Sequence, residues 1–180
     1  GRKHKLYQWR SKLKNYSIIH GAGIHMIDLV MWLLNQKPIY VKSFGNKIGT
    51  ANSTFKKESF VFCILRFPKN ILVKISINAS GIHNHFHELR IFQKGKSIIH
   101  STKGSYEILN RKSKIFYKNI KSNYPDKKNR KKLIHNFLDT FNNKNKKQLI
   151  SLKEQIDLMS VCFAAENSLK NKKEVKIKYL

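Results

Sequence analysis

Gly21-Ala22-Gly23-Ile24-His25-Met26-Ile27-Asp28-Leu29-Val30-Met31-Trp32-Leu33-Leu34 is the stretch on which the reading of this chain turns. Ile24, Ile27, Val30, Met31 and Leu34 recur three and four residues apart, the period of a helix with one buried face. The glycines read as a turn feeding the chain into that helix. His25 and Asp28 are three positions apart, so they share one side of its opening turns, at the end carrying positive partial charge. A titratable pair at the mouth of a buried helix suits an active site, and it is also how ordinary helices begin. Pro38 forbids continuation, so the helix ends near Asn35.

Upstream, residues 1–20 are basic and irregular, with Tyr7, Trp9 and Tyr16 as packing aromatics. Downstream the period changes from helical to alternating. Residues 39–48 and 60–67 read as strands, and Pro68-Lys69-Asn70 turns the chain into a third, 71–80. There Ile71, Val73, Ile75, Ile77 and Ala79 alternate with Lys74, Ser76 and Asn78, so one face is buried and the other is wet or covered by a partner. Residues 85–93, 97–101, 106–109 and 114–119 continue the pattern through turns at Lys94-Gly95 and Lys103-Gly104. Short turns between successive strands imply antiparallel pairing. After Pro125-Asp126 the helical period returns in Leu133, Ile134, Phe137, Leu138 and Phe141. A second helix carries Ile156, Met159, Phe163 and Leu169, and 175–177 reads as an edge strand. The expected class is α+β, a mainly antiparallel open sheet with helices packed on one face, in one domain spanning 1–180.

Composition narrows the function. The net charge is +27, which raises the question of nucleic acid. Lysine outnumbers arginine 31 to 6, however, and Lys, Asn and Ile make up 69 of 180 residues. Readers of bases and phosphates favour the arginine fork, and no helix-turn-helix, zinc-finger or base-stacking pattern is present. The bias reads as an AT-rich genome writing lysine wherever a solvated residue is tolerated, and nucleic acid is not the expected partner. No apolar run is long enough to span a bilayer. Cys63 and Cys162 stand apart from any zinc or disulfide spacing, which suits a reducing cytoplasm. The chain starts at Gly1 without methionine and reads as a fragment or processed product.

The Gly-Ile-His-Met-Ile-Asp-Leu-Val-Met-Trp-Leu-Leu segment, Lys37-Pro38, and a strand ending Phe44-Gly45-Asn46 resemble the Gfo/Idh/MocA oxidoreductases. The tail fits as well, through Phe137-Leu138-Asp139-Thr140-Phe141 and Ala164-Ala165-Glu166-Asn167-Ser168-Leu169. The resemblance covers nearly the whole chain but only that family's C-terminal domain. It implies part of a dehydrogenase or reductase that acts on a sugar, inositol or sugar nucleotide. NAD or NADP would be bound mainly by an N-terminal Rossmann domain that this chain does not contain. It also implies homo-oligomerisation through the open sheet face, and an isolated chain without activity. His25 matches the family histidine that acts on substrate as acid/base or ligand. Gly21 stands where the family has an aspartate, and Asp28 matches a later aspartate of mainly structural role. The alternative is a non-catalytic assembly or binding module, a remnant of such an enzyme.

Gly21-Ala22-Gly23 lacks the third glycine and the preceding strand of a dinucleotide loop, so no cofactor-binding residue is assigned here. Gln36-Lys37-Pro38 mimics the family's Glu-Lys-Pro but lies at a helix stop. The candidate catalytic residue is His25, and the candidate substrate contacts are His20, Asp28, His83 and His85. His83, His85 and His87 alternate and would line one sheet face, yet three such residues spread over roughly 13 Å of strand, too far for one ion. No metal site is expected.

Overall fold

The structure is a computed structural model, described for residues 6, 8–82, 86–111, 114–121, 129–143 and 147–180. In it the segment 24–34 forms helix α1 (Ile24–Leu34). Ile27 and Val30 are buried, and Ile24, Met26, Met31 and Leu34 pack at the margin of the core, as the apolar period requires. The helix stops at Asn35, whose φ of 48° and ψ of 40° are left-handed, a conformation asparagine tolerates at a helix end.

The chain divides into two compact units, Gly1–His83 with Ile150–Leu180, and Asn84–Leu149. The first carries strands β1 (Tyr40–Asn46), β2 (Phe60–Arg66) and β3 (Leu72–Asn78). The second carries β4 (Leu89–Gln93), β5 (Lys96–Ser101), β6 (Gly104–Arg111), β7 (Lys114–Asn119) and helix α2 (Asn129–Asn142). Helix α3 (Leu152–Asn171) and strand β8 (Val175–Lys176) return to the first. The α+β class with antiparallel sheets is as expected from the sequence, with the strands divided between two four-stranded sheets.

In the first unit the order is β3-β2-β1-β8, every pair antiparallel. Register sets Val41 opposite Leu65, Ser43 opposite Cys63, and Cys63 opposite Ile75, so these residues share one face. That face is sealed by α1 and α3 through Ile27, Val30, Val161, Cys162 and Ala165. Each fully buried Ile, Leu or Val there contributes roughly 1.5–3 kcal/mol. Because β8 pairs only with Tyr40 and Val41, the next free edge group of β1, the Ser43 N–H, donates instead to Ser168 Oγ of α3 at 2.9 Å. The opposite face carries Phe44, Phe60, Phe62, Ile64 and Leu72, with Phe44 stacked on its cross-strand partner Phe62 at 4.9 Å.

Helix α3 departs from its sequence reading. Its buried positions are Asp157, Val161, Cys162, Ala164, Ala165 and Ser168, whereas Phe163 is exposed. Small residues let the helix axis approach β1 closely, so the stripe that seals the sheet is not its most apolar one. Asp157 is carried into the interior because the Lys37 ammonium meets it at 2.6 Å.

In the second unit β4 to β7 form an antiparallel meander in chain order. A turn falls at Lys94-Gly95 as expected, the next at Thr102-Lys103 with Gly104 already opening β6, and β4 begins at Leu89. The α2 stripe of Leu133, Ile134, Phe137, Leu138 and Phe141 is exposed among the described residues. No described helix is long and apolar enough to cross a membrane.

Candidate functional site

The glycine segment is helical. Ile19–Gly23 form one π turn that runs straight into α1, with Gly23 and Ile24 both right-handed (φ/ψ −61°/−34° and −50°/−40°). The unsatisfied amides, and with them the positive end of the dipole, therefore lie upstream of His25 and Asp28. Ser17 meets them: the His20 N–H donates to Ser17 Oγ at 3.4 Å and the Gly21 N–H to the Ser17 carbonyl at 2.9 Å.

Both glycines pack closely against side chains, Gly21 against the Tyr16 ring and Gly23 against the movable end of Ile77. A Cβ on Gly21 would stand 2.1 Å from Tyr16 Oη and 2.5 Å from its Cζ, and one on Gly23 would meet Ile77 Cδ1 at 2.5 Å. The segment is thus packed against protein on both glycines and offers no bare backbone to a pyrophosphate, so these residues do not fit a dinucleotide cradle. Gly21→Ala is expected to cost roughly 1–3 kcal/mol by overpacking. In a Tyr16→Ala background the same change turns neutral or stabilising, because alanine is the better helix former. Urea unfolding of the four proteins of that cycle measures the coupling.

Behind the turn lies a polar cluster drawn from three elements. His20 Nδ1 lies 3.2 Å from Ser17 Oγ and 3.5 Å from Glu166 Oε1 of α3, and Lys57 Nζ of the β1–β2 loop donates to Glu166 Oε2 at 3.2 Å. The Phe163 ring packs on the imidazole at 5.2 Å between centroids. Burial by itself would push the Glu166 carboxyl up. Hydrogen bonds from His20 and Ser17 and the Lys57 ammonium outweigh it and hold the group down at about 2. The trio Ser17, His20 and Glu166 superficially suggests a nucleophile relay. Serine and carboxylate share the same ring nitrogen, however, and Nε2 is buried without a partner, so no proton can pass through the ring from one to the other. The cluster anchors the π turn to α3.

His25 and Asp28 are both exposed, and neither side chain has a hydrogen-bond or ion-pair partner among the described residues. The structure therefore separates two histidines that the sequence grouped together: His20 is tied into the fold, and His25 is free to meet a ligand. His83 and His85 fall outside the described residues. Cys63 and Cys162 are buried and free, with burial foremost in pushing the Cys162 thiol up to about 12, so both are inert.

An open cleft of about 360 Å³ adjoins the π turn, lined by Ser11, Lys12, Leu13, Lys14, Tyr16, Thr54, Phe55, Lys56 and Lys57. Tyr16 is at once a wall of this cleft and the ring that covers Gly21. Sequence reading did not single out Tyr16, Lys57 or Glu166 as site residues.

Residues 1–177 match the profile of the oxidoreductase family, C-terminal alpha/beta domain (Gfo/Idh/MocA). Among solved structures, levoglucosan dehydrogenase in complex with NADH and levoglucosan is similar with a TM-score of 0.80 at 10% identity, over 96% of this chain and 54% of that one. The aldose-aldose oxidoreductase from Caulobacter crescentus complexed with glycerol gives 0.73 at 14% identity, over 94% and 51%. An NAD-binding protein from Listeria innocua gives 0.72 at 12%, over 94% and 50%. The chain spans about half the length of these structures, and at such identities the likeness is one of fold. No curated protein is detectably similar in sequence. With the profile matched over nearly its whole length and the expected α+β fold in place, this chain belongs to the Gfo/Idh/MocA oxidoreductase family, as its C-terminal alpha/beta domain.

Proposed function

We propose that this chain is the substrate-binding domain of an NAD(P)-dependent oxidoreductase acting on a sugar, inositol or sugar-nucleotide derivative. The observation that carries the reading is His25: a free, exposed imidazole one turn beyond a π segment that is itself pinned by Ser17, Glu166 and Lys57. An unpartnered ring carried by a helix whose start is firmly anchored is the arrangement acid/base work requires. NAD or NADP, held by the family's Rossmann domain, supplies the hydride chemistry. This chain contributes surface for the substrate and, at His25, a group that takes or returns the proton of a substrate hydroxyl. An imidazole exchanges protons near neutral pH. Asp28, one turn further along and equally free, is placed to contact substrate, and His83 and His85 remain proposed contacts of the same kind. His20 instead serves by holding the turn. The buried, reduced cysteines support a cytoplasmic setting.

The test is to express the chain joined to the coding region upstream of Gly1 and assay nicotinamide reduction over a panel of sugars, inositols and sugar nucleotides. Turnover of any of them supports the reading, and none across the panel with both NAD and NADP overturns it.

A second reading is favoured by one observation, the row of Phe44, Phe60, Phe62, Ile64 and Leu72 on the outer sheet face, where it lies among Lys42, Lys74 and Ser76. We assign that face to a second copy of this chain, so that assembly accompanies catalysis, or outlasts it in a catalytically silent remnant. Sedimentation of the chain and of Phe62→Lys separates the cases: a dimer lost in the variant supports the assignment, and a monomer in both refutes it.

A further inference from the structure

The cleft beside the π turn has a composition that the proposed activity does not call for. Four of its nine lining residues are lysine, against 31 of 180 in the whole chain, and none is a carboxylate. The four lysines come in two pairs, Lys12 and Lys14 from one segment, Lys56 and Lys57 from another. Ser11 Oγ and Thr54 Oγ1 join the two segments at 2.9 Å, so both pairs border the same cleft. Lys57 is committed to Glu166. Lys12, Lys14 and Lys56 have no carboxylate partner among the described residues, and Lys56 Nζ meets only the Ser53 carbonyl, at 3.4 Å. Like charges gathered in a concave space repel one another and concentrate the field there. The ligand that relieves this is a compact anion, and the Tyr16 side chain lines the same wall, while Ser11, donating to the Gln8 carbonyl, and Thr54, bonded to Ser11, are taken up in tying the two segments together. Leu13, about half exposed, adds an apolar flank suited to a carbon skeleton rather than a bare ion.

We propose that this cleft binds the phosphate of a phosphorylated, sugar-type ligand. The inference rests on the reading of the chain as a substrate-binding domain and narrows its substrate class. Lys12, Lys14 and Lys56 meet the phosphate as point charges, Tyr16 closes the end nearest Gly21, and the sugar portion lies toward the π turn.

The experiment is calorimetric titration of the 180-residue chain with glucose 6-phosphate, glucose, sodium phosphate, NADP and a short RNA. The expected result is saturable one-to-one binding of glucose 6-phosphate, weaker binding of free phosphate, and none of glucose. Lys12→Gln with Lys14→Gln should weaken it about tenfold, while Lys69→Gln with Lys74→Gln, equal in charge removed, leaves it unchanged. Equal weakening by both pairs would mean general charge attraction and overturn the proposal. So would tighter binding of NADP, which assigns the cleft to the cofactor, or of RNA, which assigns it to a polyanion. Turnover of neutral sugars without phosphate binding removes this inference and leaves the enzymatic reading intact. Phosphate binding without any nicotinamide-linked activity does the reverse.

Discussion

Replacing His25 by glutamine in the joined enzyme is expected to lower kcat/KM about 10²–10⁴-fold with little change in unfolding free energy, the size of effect a positioned acid/base supplies. The pairing of a large kinetic effect with a small structural one follows from where the ring lies. It is exposed, it touches no hydrogen-bonding side chain among the described residues, and the helix beneath it is held by Ile27 and Val30 rather than by the imidazole. Glutamine keeps a polar group of similar reach but cannot cycle a proton. His20→Gln is expected to behave in the opposite sense, because it removes a partner from Glu166 and from Ser17. Its loss should appear in stability first and in rate only as far as the π turn loosens. Asp28→Asn should fall between them, changing KM more than kcat if the carboxylate orients a hydroxyl. An unchanged kcat/KM in the His25 variant would remove acid/base chemistry from this helix.

These contrasts also show what the amino-acid order makes legible. Periodicity exposes α1, because Ile24, Ile27, Val30, Met31 and Leu34 must share a face whatever the rest of the chain does. It exposes β3, because strict alternation leaves no other pairing of buried with wet. Ser151-Leu152-Lys153-Glu154 carried a further readable signal, a capping box in which the Glu154 N–H donates to Ser151 Oγ at 3.2 Å and the Ser151 N–H to Glu154 Oε2 at 2.7 Å. The buried side of α3 was not legible. Asp157 and Ser168 score as polar and Ala164 as only weakly apolar, and their burial follows from closeness to β1 and from Lys37. The polar cluster was illegible for a different reason. Lys57 and Glu166 are 109 positions apart, and no local pattern in lysine-rich sequence marks one lysine as the partner of one glutamate. Gly21 misled in a third way: it resembled a flexible turn, and it is a helical residue whose missing side chain makes room for Tyr16.

Glu166→Gln is expected to destabilise the chain by about 2 kcal/mol at pH 7 and by almost nothing at pH 2. The carboxyl titrates at about 2 in the folded chain against an ordinary value of 4.5, since His20, Ser17 and Lys57 together overcome the cost of its burial. A depressed folded value means that the charged form is preferred by the folded state, so its stabilisation is fully present above pH 4.5. It fades as pH falls from there toward 2 and is gone below, when both folded and unfolded carboxyls hold a proton. The whole shift would correspond to roughly 3 kcal/mol, and because the side chain keeps 23% of its surface exposed, water screens part of it. Glutamine preserves shape and one acceptor while abolishing titration, so it isolates the charge. Trp9 and Trp32 both lie in the unit that contains the cluster, so their fluorescence in urea follows this unit without interference from the other. Curves of stability against pH for the two proteins should converge on acidification. Parallel curves would mean that the ion pairs around Glu166 contribute nothing to folding, and the π turn would then owe its position to the packing of Ile19 and the two glycines alone.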